Sequence, residues 1–129
     1  KELREKMREL GMDEEYASRY LNVGFSGGEK KKSEVLQMLM LNPKLAILDE
    51  TDSGLDVDAV KVVSKGVEQF KGKDNSLIII THNTKILEYL DVDYVHILMD
   101  GKVVKTGDKS LIDLVNRSGF QQLAPSAAV

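Results

Sequence analysis

The stretch LAILDETDSGLD, residues 45–56, joins an apolar run to two adjacent carboxylates and then to a short polar turn. The apolar residues show no polar alternation, so they predict a strand that is buried on both faces. Asp49 and Glu50 follow at the point where that strand ends. In open α/β sheets, ligands bind outside the carboxyl ends of the strands. The stretch therefore predicts a sheet edge that carries a functional site, although two carboxylates can also simply begin a loop.

A second apolar run, residues 77–81, ends in the same way and is followed by His82. Because carboxyl ends of parallel strands meet at one edge, we expect Asp49, Glu50 and His82 to share one crevice. Mg²⁺ prefers one or two carboxylates together with water and phosphate oxygens, and a neighbouring carboxylate can orient or deprotonate water. By itself, a histidine at a strand end is more often structural than catalytic.

Helical patterns alternate with the two strands, which predicts an α/β fold with a mostly parallel sheet flanked by helices. Helices are predicted over residues 1–10, 13–21, 57–70 and 84–90, and over the segment that ends near Leu41. Asp100-Gly101 lies between two β-rich runs and predicts a hairpin. A last helix is predicted with Asp108 as its cap, followed by a frayed end, LAPSAAV.

The stretch FSGGEKKK, residues 25–32, has the pattern of a helix start that binds an anion. Ser26 and Glu29 are spaced as a capping box. Gly27 and Gly28 leave the first amides uncovered by side chains, and bare amides at a helix start attract phosphate. The three lysines that follow raise the local positive potential, although such a run is usually only a solvated face.

Composition excludes several classes of protein. The 129 residues have a net charge of −3 and 30% charged residues, which argues against a general nucleic-acid binder. The absence of cysteine excludes disulfides and thiolate metal sites, and fits a reducing compartment. No apolar run approaches the roughly 20 residues of a membrane span, so direct membrane insertion is not expected.

Together these motifs resemble the nucleotide-binding domain of ABC-type ATPases, a family of P-loop NTPases. FSGGEKKK is similar to the signature motif and LAILDE to the Walker B strand. SGLD, residues 53–56, resembles the D-loop, and His82 resembles the switch histidine. Order and spacing agree over roughly residues 24–107. The resemblance implies the C-terminal half of such a domain, with ATP and Mg²⁺ as cofactors.

The resemblance also implies a role for each matching residue. Asp49 is expected to hold Mg²⁺ through water, Glu50 to polarise the attacking water, and His82 to contact the γ-phosphate. A second copy of the protein is the implied partner. The residues expected to bind its ATP or lie at the interface between copies are Ser26, Gly27, Gly28, Glu29, Ser53 and Asp56.

Within the family, the sequence is most similar to the SufC-like ATPases of the SUF system for iron–sulfur cluster assembly. Many transporter ATPases resemble LDEPTSALD where this chain reads LDETDSGLD, and MDGKVVKTGD, residues 99–108, agrees with the SufC-like pattern. Asn83 departs from it, since an aromatic residue is expected there. This similarity implies SufB/SufD-like scaffold partners and a cytoplasmic or plastid-stromal location.

A phosphate cradle of the form G-x-x-x-x-G-K-[ST] is not found in the sequence. Gly66 and Gly72 are six apart rather than five, and Lys73 precedes Asp74. We therefore expect residues 1–41 to belong to the helical subdomain, 42–123 to the RecA-like core and 124–129 to a tail. The isolated chain is expected not to hydrolyse ATP.

Two other functions stay open at this point. The chain can belong to the nucleotide-binding subunit of an ABC membrane transporter, which has the same motifs. It can also be a non-catalytic interaction module, as the missing cradle suggests for the chain alone.

Overall fold

The computed structural model describes residues 1–72 and 74–120, which form two compact units. The first unit is Lys1–Leu90, and the second begins at Asp91. The division into units falls after Leu90 and does not test the predicted subdomain boundary at residue 41, which stays a prediction.

The first unit alternates helices with two strands. Its order is α1 (Glu2–Glu9), a 3₁₀ helix (Glu14–Ser18), α2 (Gly27–Leu41), β1 (Leu45–Asp49), α3 (Val57–Phe70), β2 (Ser76–Ile80) and α4 (Lys85–Glu88). The predicted elements are confirmed in type and order, with one exception. The helix predicted over 13–21 is a shorter 3₁₀ helix, because the backbone becomes extended at Arg19.

Side-chain caps fix where three of these elements begin. Asp13 accepts a hydrogen bond from the Glu15 amide at the start of the 3₁₀ helix, and Asp56 accepts one from the Ala59 amide at the start of α3. Ser26 caps α2 through a complete capping box. Each cap satisfies an amide that has no partner within its own helix.

β1 and β2 pair in parallel, with Ile47 opposite Ile78 and Asp49 opposite Ile80. Ala46 and Leu48 are buried, whereas the alternate side chains of the pair are about half exposed. The prediction of strands buried on both faces is therefore wrong for this chain. A pure apolar run specifies two apolar faces, but what covers each face depends on the rest of the fold. The exposed face consists of Leu45, Ile47, Ile78 and Ile80.

Gly66 shows why α3 packs closely in the core of the first unit. A Cβ at this position would lie 2.7 Å from Cδ2 of Leu10 and 2.9 Å from Cγ1 of Val35, closer than real contacts allow. Both neighbours are fully buried. Gly66 therefore serves helix packing, in agreement with the prediction that it is not part of a phosphate cradle.

The second unit is a hairpin followed by a helix: β3 (Val95–Met99), β4 (Lys102–Gly107) and α5 (Ser110–Ser118). Asp100 and Gly101 both have positive φ, as the predicted two-residue turn requires. Ile97, Leu111 and Val115 form its small core. The residue directly before α5 is Lys109 rather than the predicted cap Asp108. Asp108 nevertheless accepts a hydrogen bond from the amide of Ser110, the first residue of the helix. The predicted frayed end lies outside the described residues.

None of the helices in residues 1–72 and 74–120 combines the length and apolarity that a bilayer crossing needs.

Candidate active site

The parallel strands bring Glu50 and His82 together, as predicted. Glu50 follows β1 directly, and His82 follows β2 after Thr81. Oε1 of Glu50 and Nδ1 of His82 are 2.9 Å apart. The side chains are 50% and 71% exposed respectively, so both are accessible from solvent. A carboxylate and an imidazole in contact at an open sheet edge can hold and transfer a proton.

The backbone at Glu50 is in the left-handed region, with φ +49°. Its amide donates to the carbonyl oxygen of Ile80 at 2.8 Å, and its carbonyl oxygen accepts from the Ser53 amide at 3.0 Å. Glutamate rarely adopts this conformation, and such strain typically costs about 1–3 kcal/mol. These two hydrogen bonds hold Glu50 at the point where the sheet pairing ends and the turn begins.

A second link joins the same two loops. Oγ1 of Thr81 lies 3.0 Å from Oδ2 of Asp52, which is only 2% exposed. Burying a carboxylate is costly unless it accepts hydrogen bonds, so Thr81 stabilises Asp52 in its buried position. The same hydroxyl accepts from the Asn83 amide at 2.9 Å. Thr81 thus ties the turn after β1 to the loop that carries His82.

Asp49 ends β1, and its side chain is exposed next to Glu50. Asp49 and Glu50 together offer the one or two carboxylates that Mg²⁺ takes when phosphates and water supply its other ligands. The donor set therefore fits the predicted metal. In the described part of the chain, no three acidic or histidine side chains converge into a metal cage of their own.

The start of α2 has the predicted capping box. Oγ of Ser26 accepts from the Glu29 amide at 3.2 Å, and Oε2 of Glu29 accepts from the Ser26 amide at 2.6 Å. The hydroxyl of Tyr16, in the 3₁₀ helix, donates to Oε1 of Glu29. One carboxylate thus accepts hydrogen bonds from two separate segments.

These contacts change the acidity of both partners. The hydrogen bond from Tyr16, followed by those from Ser26, lowers the pKa of Glu29 below its usual range. The same bond raises the pKa of Tyr16. Over the neutral range Glu29 is therefore an anion and Tyr16 a neutral donor, which is the combination that the bond needs.

The residues that resemble the signature motif lie close to those that resemble the D-loop, within the same unit. A Cβ on Gly28 would lie 3.6 Å from Cδ2 of Leu55, whereas one on Gly27 would meet no atom within 4 Å. Ser53 is exposed, and Asp56 uses its side chain to cap α3. The roles of these residues towards ATP or a second copy stay predictions.

Sequence reasoning missed Tyr16, Asp52 and Thr81 as residues that support the site. Tyr16 lies 13 positions from Glu29, and Asp52 lies 29 positions from Thr81. Neither spacing belongs to a local motif. The only signal in the sequence was Asp52 itself, which the resemblance marks as a difference from transporter ATPases.

Several curated proteins similar to this chain have names that refer to ATP binding or ATP-dependent transport. The chain is 54% identical over 127 residues to a probable ABC transporter ATP-binding protein of Streptococcus pyogenes serotype M3, covering 98% of this chain and 50% of the relative. It is 48% identical over 121 residues to the probable ATP-dependent transporter Ycf16 of Cyanophora paradoxa, covering 94% and 47%. No family model matches the chain.

Solved structures show the same fold at low sequence identity. The ATP-binding cassette MJ1267 superposes with a TM-score of 0.71 and 22% identity, over 96% of this chain and 49% of that one. A bacterial Atm1-family ABC exporter gives a TM-score of 0.68 and 21% identity, over 99% and 24%.

The chain spans about half the length of the curated relatives it matches. β1 with the acidic residues at its end, and β2 with the histidine after it, lie within the region shared with these cassettes. The fold of this chain is therefore that of part of an ATP-binding cassette.

Proposed function

We propose that the chain is part of an ABC-type ATPase that binds and hydrolyses ATP as a dimer. The 2.9 Å contact between Glu50 and His82, beside Asp49 at the strand ends, carries this proposal. Glu50 would polarise the attacking water, and Asp49 would hold Mg²⁺ through water. Bound Mg²⁺ supplies charge neutralisation for the phosphates.

The Glu50–His82 contact restricts how His82 binds a phosphate. An ionised carboxylate only accepts hydrogen bonds, so Nδ1 of His82 is the donor to Glu50. Phosphate oxygens also only accept. His82 therefore binds Glu50 and the γ-phosphate together only as an imidazolium, and otherwise exchanges one for the other. Exchange frees Glu50 to contact water when ATP is bound.

The start of α2 supplies the second half of the proposed site. Gly27 and Gly28 present amides without side-chain cover, in a helix of 15 residues whose start is fixed by Ser26 and Glu29. We assign this start to the γ-phosphate of ATP held by the second copy, with Ser53 and Asp56 at the interface. The uncovered amides and the helix dipole both favour an anion there.

We further propose that the ATPase drives iron–sulfur cluster assembly on soluble, SufB/SufD-like scaffold proteins. The support is the SufC-like sequence LDETDSGLD and the burial of two of its residues. Thr51 and Asp52 are almost fully buried, and Asp52 is hydrogen-bonded to Thr81. The chain has no cysteine, so clusters would be built on the partners. This role corresponds to the cytoplasm or the plastid stroma.

A transporter role is the second candidate. The names of the streptococcal and Cyanophora relatives, as a transporter ATP-binding protein and an ATP-dependent transporter, favour it. Under this alternative the partner is a membrane protein, and the chemistry at Glu50 is unchanged.

Two measurements on the full-length ATPase that contains this chain separate these proposals. Phosphate release from Mg-ATP, compared with a Glu50→Gln variant, tests the hydrolysis. A pull-down of the tagged protein from a detergent-free extract, with iron analysis of the recovered complex, tests the partner. Recovery of iron-containing soluble scaffolds supports the assembly role, whereas recovery only with polytopic membrane proteins overturns it in favour of transport.

A further inference from the structure

The 3₁₀ helix places an aromatic side chain against the start of α2. Tyr16 lies within this short element, which begins at the Asp13 cap and ends at Ser18. Its hydroxyl donates to Oε1 of Glu29, while Oε2 of the same carboxylate accepts from the Ser26 amide. The carboxylate that completes the capping box is therefore also fixed from outside the helix.

Two further contacts hold the ring of Tyr16 in place. Its centroid lies 4.6 Å from that of Phe25 in an edge-to-face arrangement, with an interplanar angle of 73°. The guanidinium of Arg19 lies 4.8 Å from the centroid of the Tyr16 ring. Edge-to-face pairs and cation–π contacts both favour a defined ring position. Phe25 directly precedes the capping residue Ser26, so the stack also restrains the loop that enters α2.

We propose that Tyr16 is a positioning residue for the signature motif, which it aligns through Glu29 and Phe25 for contact with ATP of the second copy. The inference rests on the proposed ATPase function. Tyr16 touches neither nucleotide nor reacting atoms in this role. Its effect is to limit the orientations of the Gly27 and Gly28 amides before ATP arrives, so that less order has to be gained on binding.

Geometry distinguishes this role from a general contribution to the core. Tyr16 is only partly buried, whereas Met7, Leu10 and Val35 in the same unit are fully buried. Its hydroxyl bonds to the side chain that closes the cap, rather than to a core polar group. Loss of the hydroxyl alone should therefore change the signature motif more than the overall stability.

The test compares Tyr16→Phe with Tyr20→Phe in the full-length ATPase. Tyr16→Phe keeps the ring and its stacking partners and removes only the donor to Glu29. Tyr20 lies four residues further on and is 87% exposed, so Tyr20→Phe controls for loss of a tyrosine hydroxyl. Hydrogen exchange at the start of α2, kcat, and equilibrium ATP affinity of the monomer are measured for both variants.

We expect Tyr16→Phe to lower kcat by about tenfold, the order expected for one hydrogen bond to a charged group. Exchange of the Ser26 and Glu29 amides, which donate hydrogen bonds within the capping box, should accelerate, while monomer ATP affinity stays at the wild-type value. In a Glu29→Ala background, which lacks the acceptor, Tyr16→Phe should have almost no further effect. Tyr20→Phe should match the wild type in all three measurements.

Equal kcat and equal exchange in the Tyr16→Phe and Tyr20→Phe variants would overturn the proposal while leaving the ATPase function intact. So would an effect of Tyr16→Phe that persists undiminished in the Glu29→Ala background. A wild-type protein that hydrolyses no ATP instead overturns the proposed function, and the role of Tyr16 with it.

Discussion

Glu50 and His82 are 32 positions apart in the sequence, yet Oε1 of one and Nδ1 of the other lie 2.9 Å apart. The parallel pairing of β1 with β2 produces this contact, since it places the two strand ends side by side. The left-handed backbone at Glu50 then turns the chain at the edge of the sheet. The contact is the basis of the first two predictions.

Under the proposed ATPase function, Glu50→Gln in the full-length protein should lower ATP turnover by roughly 10² to 10⁴-fold, the usual cost of losing a general base. The amide has nearly the same shape but cannot accept a proton from water, so nucleotide binding should be retained. Phosphate release and ATP affinity are measured together. The control Glu2→Gln, in an exposed helix start, should behave as wild type, and near-normal turnover of Glu50→Gln would remove Glu50 from the mechanism.

His82→Ala should lower kcat by about 10 to 100-fold, as expected when a hydrogen bond to a charged group is lost. Its melting temperature should change little, because the side chain is 71% exposed. The other histidine provides a matched control. His96 lies in the hairpin and contacts Thr106, so His96→Ala should leave kcat unchanged. A marked loss of stability with normal kcat would show that His82 is structural.

Gly28→Asp should impair ATP-driven dimerisation far more than Gly28→Ala. A Cβ at this position reaches ordinary contact distance of Leu55, so the methyl group of alanine can be accommodated. Aspartate adds a negative charge next to the expected phosphate position, which should cost roughly tenfold or more in affinity. Dimer formation with Mg-ATP is followed by analytical ultracentrifugation. Equal behaviour of the two variants would contradict phosphate binding at this helix start.

The isolated chain should self-associate through the exposed face of its parallel strands. Ile47, Ile78 and Ile80 are about half exposed there, and such apolar faces and unpaired strand edges favour association. Ile47→Lys should lower the concentration dependence of light scattering. Val103→Lys, at a residue of the same 58% exposure in the hairpin, is the control. A monodisperse wild-type monomer at all concentrations would contradict this prediction.

Acid should weaken the contacts of Glu29. Its pKa is lowered chiefly by the hydrogen bond from Tyr16, then by those from Ser26, with a smaller effect of Arg19. A lowered folded-state pKa stabilises the protein at pH values above the unfolded-state pKa, and this contribution is lost as pH falls through the folded-state pKa. Melting temperature should therefore fall more steeply with acid in the wild type than in Glu29→Gln. Parallel curves would show that the carboxylate adds no pH-dependent stability.

Local physics explains what the sequence by itself determined. The start of α2 follows from Ser26 and Glu29, which satisfy each other's amides within one helical turn. The hairpin turn follows from Asp100-Gly101, because those residues tolerate positive φ. The two apolar runs are long enough to predict strands, and parallel pairing then predicted that Glu50 and His82 would meet.

The tertiary structure alone decided which distant side chains support these residues and which sheet face is covered. Asp52 reaches Thr81, and Tyr16 reaches Glu29, only because separate segments pack together, and no periodicity encodes such contacts. Likewise, Ile47 and Leu48 are neighbours in one strand with similarly apolar side chains, yet Ile47 is 58% exposed and Leu48 is buried. Burial depends on what packs against each face of the strand pair. The residues of a strand specify only that both of its faces are apolar enough to be buried.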